Sequence, residues 1–358
     1  MGRGIEIGYG GYWCTPFVPT GGALTEQDGI DLAARLTRES TIAAFDDAVI
    51  SVGNAAPGTH ATAGLQSFAD SAGLGPLPTQ ALSCGNLSGL SLLRSGVLET
   101  VTGAFTAAYC IGCGSAASVK ESRLAWLSAI DTVARQSGVT REQLDQLLSH
   151  RWEQYEKCRE DGFQGRFMPL PFWIGDSVYD GDTGLVEMTP GTLKEAPALF
   201  TEGVLSRAMT PTSKTAIACM VLGSAEGGPE ALRLRIEGTG IHRESVTEGS
   251  TALLLAAQAA LNEADSAIDT LDTINIFAPE LASELLFANE TGADVMTMNR
   301  GGGAVIWGDA GAATGLRATI EGIEHLTSRG GGHGLVAGAA EDGTAIALVI
   351  RVADRLPT

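Results

Sequence analysis

Residues 79–98 read TQALSCGNLSGLSLLRSGVL: a short apolar run, a cysteine, several small residues and then a helical pattern. Leu87, Leu90, Leu93 and Val97 recur at three- and four-residue spacing, which predicts a mostly buried helix with Cys84 at the turn from strand to helix. Unpaired N–H groups and the positive end of the helix dipole favour a thiolate there, below the free cysteine pKa of about 8.5. Gly85, Ser88 and Gly89 leave room for an acyl chain to approach. The position equally suits an inert buried thiol, because free cysteine is among the most buried residue types.

Outward from this stretch, 358 residues suggest roughly two domains. No apolar run reaches the ~18 residues of a membrane helix, and the opening MGRGIEIGYGGYWC lacks the long apolar segment of a secretory signal. The expectation is a cytoplasmic protein that does not contact a membrane. Cysteines at 14, 84, 110, 113, 158 and 219 are too sparse for a disulfide framework and read as reduced thiols. Cys110 and Cys113 form a C-x-x-C without a second pair or a neighbouring histidine, which fits a buried strand better than a metal site; no metal is expected. A formal charge of −19 argues against nucleic acid, whose phosphates need clustered Lys and Arg. It also disfavours an acidic carrier protein unless Arg94, Lys120 and Arg123 build a local basic patch.

In chain order, residues 4–11 read as a strand, 28–45 as an amphipathic helix and 47–53 (DAVISVG) as a buried parallel strand. A short helix at 65–72 leads into the Cys84 turn, and 101–112 reads as another strand. The segment 115–200 differs in texture. Its polar helix at 140–161 begins with the capping-box spacing of Thr140 and Gln143, and His150, Trp152 and Tyr155 fit packing or solvated positions on it. From Thr210 the pattern resumes as an echo: a strand at 232–240, a helix at 250–264, a strand at 272–277, a helix at 308–326 and a strand at 344–352. AAFDDAVISVGN and DTLDTINIFAPE match in position, and the Cys84 helix corresponds to the one opening at Asp309. An internal duplication of about 110 to 130 residues follows. The fold class is α/β with a mainly parallel sheet. The expected division is residues 1–114, a loop or cap insertion at 115–205, and a second half at 206–358.

Four stretches in order resemble the thiolase superfamily, the thiolases with the related ketoacyl synthases. Thr15-Pro16-Phe17 with Gly21-Gly22 is similar to the R-T-P-F…G-G opening. VTREQLDQLLSHRWEQYEKCREDGF at 139–163 is similar to I-T-R-E-x-Q-D…S-H-x-x-A. MNRGGGAVIWGDAGAATGLR at 298–317 is similar to N-x-x-G-G-x-x-x-x-G-H-P-x-G-A-S-G, and RGGGHG at 329–334 to C-I-G-G-G-x-G. The resemblance implies a five-layered αβαβα fold from two duplicated halves, a homodimer and acyl-thioester chemistry where the halves meet. Coenzyme A or an acyl carrier protein would present the thioester, with no tightly bound cofactor. Cys84 falls on the nucleophilic cysteine, although C-G-N-L-S-G-L is closer to ketoacyl synthase III than to the thiolase C-x-S-G.

Three departures stand beside these matches. Asp309 replaces the Gly-His-Pro histidine, Ser328 the second cysteine, and Ala278 the asparagine of Asn-Glu-Ala-Phe. A serine does not exchange protons as a thiol of pKa near ~8.5 does, so ordinary Claisen thiolysis is not expected. The residues that remain suggest Cys84 as nucleophile, His333 as base and Asp309 as its orienter, with N–H groups around Gly330 as an oxyanion hole and Ala278, Ser328 and Asn299 lining the pocket. His333 packed inside its loop, and Asp309 as the base itself if burial raises its pKa, are the alternatives. His60 and His242 are lesser candidates and fit surface positions. The functional expectation is a transferase that carries an acyl group on Cys84. The alternative is a non-catalytic partner subunit of the same fold.

Overall fold

The computed structural model describes residues 11–21, 34–37, 47–54, 70–115, 120–174, 176–223, 233–246 and 249–353. The expected strand at 4–11, most of the helix at 28–45 and the candidate His60 lie outside them.

Buried small and β-branched residues build two sheets of matching topology. The first contains β1 (Tyr12–Cys14), β2 (Val18–Pro19), β3 (Ala48–Asn54), β4 (Thr79–Leu82), β5 (Ala107–Ser115) and β8 (Lys214–Gly223) in the order β1-β8-β5-β3-β4, with β2 beside β8. The second contains β9 (Arg233–Arg243), β10 (Thr273–Phe277), β11 (Gly332–Ala339) and β12 (Thr344–Ala353) in the order β10-β11-β12-β9. In the first, β3 runs parallel to β5, and β8 and β1 follow antiparallel. In the second, β10 runs parallel to β11, and β12 and β9 follow antiparallel. The duplication read from the sequence is therefore a repeated connectivity, with β3 standing for β10 and β5 for β11. A small hairpin of β6 (Phe172–Ile174) and β7 (Ser177–Tyr179) lies in the insertion.

Between the sheets lie two helices, α1 (Ser88–Val101) and the later Ala312–Ser328, which pack on each other and on strands of both sheets. The outer face of the first sheet is covered at Ala34, Leu36 and Ala72, which pack with Ile50, Ile111, Ile217 and Cys219. The insertion adds α2 (Lys120–Gln136) and α3 (Arg141–Glu160); then come α4 (Gly249–Glu263), against β9 and β12, α5 (Ala282–Thr291) and the central α6 (Ala312–Ser328). This is the αβαβα layering expected, but the sheets are mixed and not mainly parallel. Strands β8 and β1 in the first and β12 and β9 in the second return antiparallel, because β11 and β12 are joined by a tight turn and β8 comes back to β5 after the insertion. Among the described residues no helix is long and apolar enough to cross a membrane.

Several boundaries move. The strand expected at 101–112 starts only at Ala107, because Thr100 and Thr102 donate to carbonyls one turn back and prolong α1 until Gly103, at φ +74°, ends it. The run 214–223, a wholly buried strand, pairs with β5 and β1, so the first half closes after the insertion rather than before it, and the sheet changes beyond Gly223 and not at 205/206. Thr140 and Gln143 close the capping box: Gln143 N donates to Thr140 Oγ1 at 3.2 Å and Thr140 N to Gln143 Oε1 at 2.9 Å. Tyr155 is buried and donates to Asp182 Oδ2 at 3.1 Å, and His150 Nε2 lies 2.8 Å from Met296 O. Cys110 and Cys113 fall in opposite cores, as three-residue spacing on a strand requires, so they cannot grip one metal ion together.

Candidate functional site

The C-terminal ends of β10 and β11 and the N-terminal ends of α1 and α6 meet at one place, the junction of the two halves. Glycine makes the meeting possible. A Cβ on Gly89 would lie 2.3 Å from Ala312 O and 2.8 Å from Leu316 N, so the two helix starts touch backbone to backbone. The positive ends of both helix dipoles thus lie close together at this junction.

Cys84 sits in the turn between β4 and α1. Gly85 takes φ +59°, Leu87 N donates to Cys84 O at 3.1 Å, and Ser88 Oγ accepts from Cys84 N at 2.8 Å while donating to Gly85 O at 2.8 Å. The thiol itself is exposed and accepts one hydrogen bond, from Ser91 Oγ at 3.4 Å. Asn86 turns inward and donates to Ala339 O at 3.0 Å, fixing this turn to the end of β11.

Asp309 precedes α6. Its backbone is clamped by Thr212 O and Lys214 N, and its Oδ1 accepts from Gly311 N and Thr314 Oγ1, each at 2.8 Å. Burial pushes its carboxyl above the ordinary range; the two hydrogen bonds and Arg123 offset part of that. Ala278, buried at the end of β10, brings no polar group.

Two further carboxyls complete the place. Glu341 lies in the tight β11–β12 turn, where Ala340 N donates to Thr344 O at 2.8 Å and Gly343 N to Ala340 O at 3.1 Å. Its Oε1 is 3.8 Å from Arg123 Nε, and burial, with Asp309 adding repulsion, raises its pKa to about 7 despite that arginine. Glu280, fully enclosed, accepts from Trp126 Nε1 and from Ser283, and burial lifts it also to about 7. Arg123, whose Nη2 donates to Pro211 O at 3.2 Å, is the cation whose charge reaches all three.

The expected assembly of Cys84 with His333 does not form. Helix α6 carries the chain from Asp309 to Ser328, about 25 Å at 1.5 Å per residue, and the RGGGHG stretch is the turn that sends it back. Gly330, at φ +90°, follows the helix end. Ser328 Oγ donates to Glu324 O and accepts from the Arg166 guanidinium. His333, the second residue of β11, donates its backbone N–H to Asp272 Oδ2 at 3.0 Å and accepts from Asp272 N at 2.8 Å, at the opposite strand end from Ala339, roughly 20 Å away at 3.3 Å per residue. His333, Ser328 and Gly330 are therefore removed from the site. Asn299 is not a pocket group either, since Oδ1 accepts from Ile276 N at 2.7 Å and Nδ2 donates to Ile276 O at 2.9 Å. His242 pairs with Glu244 at 2.8 Å on the surface.

Sequence reasoning missed Glu341, Glu280 and the placement of Arg123. The turn signal AEDG after an apolar run was the only hint of the first.

Glu280 gives a stability prediction. Its folded-state pKa of about 7 exceeds the ordinary 4.5, so the folded chain holds the proton more tightly than the unfolded one. That contribution is full below about pH 4.5 and is lost as pH rises through about 7, on the order of 3 kcal/mol. Glu280→Gln is expected to make the fall in stability between about pH 4.5 and pH 7 shallower, read by urea unfolding at stepped pH. An unchanged slope would contradict the assignment.

No protein-family profile and no curated protein matches the sequence. Solved structures do match the fold. Human mitochondrial 3-ketoacyl-CoA thiolase superposes with a TM-score of 0.83 at 17% identity, covering 98% of this chain and 99% of that one. A thiolase from Ascaris suum in complex with coenzyme A gives 0.83 at 18%, covering 98% and 100%. The Bacillus anthracis acetyl-CoA acetyltransferase gives 0.83 at 16%, again covering 98% and 100%. This chain has the thiolase fold over nearly its whole length.

Proposed function

We propose that this thiolase-fold chain is an acyltransferase or condensing enzyme that takes an acyl group from a coenzyme A thioester onto Cys84. The observation that carries the reading is the position of an exposed thiol where two central helices point their N-termini. The coenzyme A bound to fold neighbours supports the donor class. The sulfur would attack the thioester carbonyl, the carbonyl oxygen would gain negative charge opposite the helix starts, and the coenzyme A thiol would leave. A carrier-protein donor is less favoured by the charge of −19. The second reading, a scaffold subunit, rests on Asp309, whose Oδ1 is committed to holding the start of α6.

Exposure separates the thiols for a direct test. Cys84 is open, Cys158 half-buried, and Cys14, Cys110, Cys113 and Cys219 are closed off. Iodoacetamide is expected to alkylate Cys84 first, and prior incubation with acetyl-CoA is expected to slow that by tenfold or more. Peptide mass spectrometry reads both; alkylation of Cys84 at the same rate with and without acetyl-CoA would favour the scaffold.

The homodimer belongs to the same proposal. Strand β4 ends the first sheet, pairs only with β3, and leaves its outer edge unpaired among the described residues. An open edge of this kind is a template for a second chain, and a copy placed there would bring its own Cys84 turn alongside. Light scattering is expected to give the mass of two 36.9 kDa chains, and Ala81→Pro to shift it toward one. A monomeric parent protein would refute this.

A further inference from the structure

We propose that Glu341 is the proton-transfer group of this site, taking and returning the hydrogen on the carbon next to the thioester carbonyl. The inference rests on the acyl-thioester reading above and adds a residue and a step to it.

Placement comes first. Glu341 stands in the β11–β12 turn two residues beyond Ala339, and the carbonyl of Ala339 holds Asn86, itself two residues from Cys84. The turn therefore begins beside the turn that carries Cys84.

Availability separates Glu341 from its neighbours. Asp309 is tied to the start of α6 through Oδ1, which accepts from Gly311 and Thr314, and clamped by its backbone to Thr212 and Lys214, and Glu280 spends both oxygens on Trp126 and Ser283. Glu341 accepts no hydrogen bond among the described residues and has only the 3.8 Å approach of Arg123. Its side chain keeps 18% exposure, enough for a substrate atom to reach it. A half-buried carboxylate with free lone pairs is chemically a base in waiting.

The groups facing it set its working range. Arg123 from α2 favours the charged form, Asp309 before α6 opposes it, Glu280 shares the field of Arg123, and Asp342 follows in the same turn. Burial outweighs the arginine, which places the balance near about 7, where a base is both populated and able to release its proton.

The step balances within the site. The carboxylate removes the proton, the C–H electron pair forms a carbon–carbon double bond, and the carbonyl electrons move to oxygen, giving an enolate facing the positive helix ends. Return of the proton from the carboxyl group reverses it; attack of the enolate carbon on an acyl group at Cys84 would instead form a carbon–carbon bond and release the cysteine sulfur.

The test uses acetyl-CoA in heavy water, with loss of the methyl proton signal followed by NMR. The full chain is expected to exchange the methyl hydrogens, with a rate that rises as pH passes through about 7. Glu341→Gln is expected to slow exchange at least a hundredfold and remove the pH limb, while Glu341→Asp retains an intermediate rate. Circular dichroism verifies that each variant is folded. Exchange in folded Glu341→Gln at a rate within a few-fold of the parent would overturn the proposal, as would a parent protein that exchanges nothing. Acylation of Cys84 is read separately by mass in the parent samples. Adduct without exchange removes Glu341 and leaves Cys84 standing; exchange without adduct does the reverse.

Discussion

Arg317→Met is expected to cost about 3–5 kcal/mol of folding stability, because it strips the partner from two buried carboxylates at once. Arg317 is fully buried on α6, its Nη1 and Nη2 meet the two oxygens of Asp182 at 2.7 and 2.8 Å, and its Nε meets Glu321 at 3.0 Å. The guanidinium also lies 4.7 Å from the Phe17 ring and 4.3 Å from the Trp307 ring. Asp182 belongs to the insertion and further accepts from Phe17 N at 2.7 Å and Tyr155 Oη at 3.1 Å. One arginine thus binds the insertion, the N-terminal segment and the central helix together. The methionine fills much of the stem volume, so the loss reports the uncompensated charge and not a cavity. Urea unfolding measures it; the double variant with Asp182→Asn should recover part of the loss. A change below about 1 kcal/mol would mean that the network contributes little.

Gly89→Ala is expected to be damaging for a different reason. The added methyl would meet backbone atoms, Ala312 O at 2.3 Å and Leu316 N at 2.8 Å, and backbone cannot swing aside as a side-chain tip does. The two central helices must separate, at a cost of about 1–3 kcal/mol or more, and the meeting of their N-termini at Cys84 opens with them. The expected result is a lowered melting temperature together with loss of Cys84 protection by acetyl-CoA. Gly85→Ala is the control: at φ +59° with open space around it, the expected cost is about 1–2 kcal/mol, from the backbone conformation alone. Equal stability of Gly89→Ala and the parent would contradict the close helix contact.

Local patterns carried the fold a long way. The strand, turn and helix around Cys84, the repeat linking 47–53 to 272–277 and the capping box at Thr140 are short-range signals, and each reads directly from spacing. The run KTAIACMVLG at 214–223 is apolar throughout, as a strand buried on both faces must be, yet only its pairing with β5 shows that it closes the first sheet. The site was legible in part for the same reason. Cys84 and Asp309 precede helices that the sequence marks plainly. The glycine triplet at 330–332 was matched to a turn at the catalytic end of a strand, whereas it serves the other end; a motif does not reveal which end of a strand it terminates. Arg317 and Asp182 are 135 residues apart, and nothing local announces their pairing. Glu341 and Arg123 likewise meet only through the fold, one from a hairpin turn and one from the insertion.

Intact-protein and peptide mass spectrometry after incubation with acetyl-CoA addresses the core claim most directly. The account predicts one added acyl group per chain, on the peptide bearing Cys84, and its disappearance in Cys84→Ala. A parent protein that gains no acyl mass, or an adduct that persists unchanged in Cys84→Ala, would contradict it.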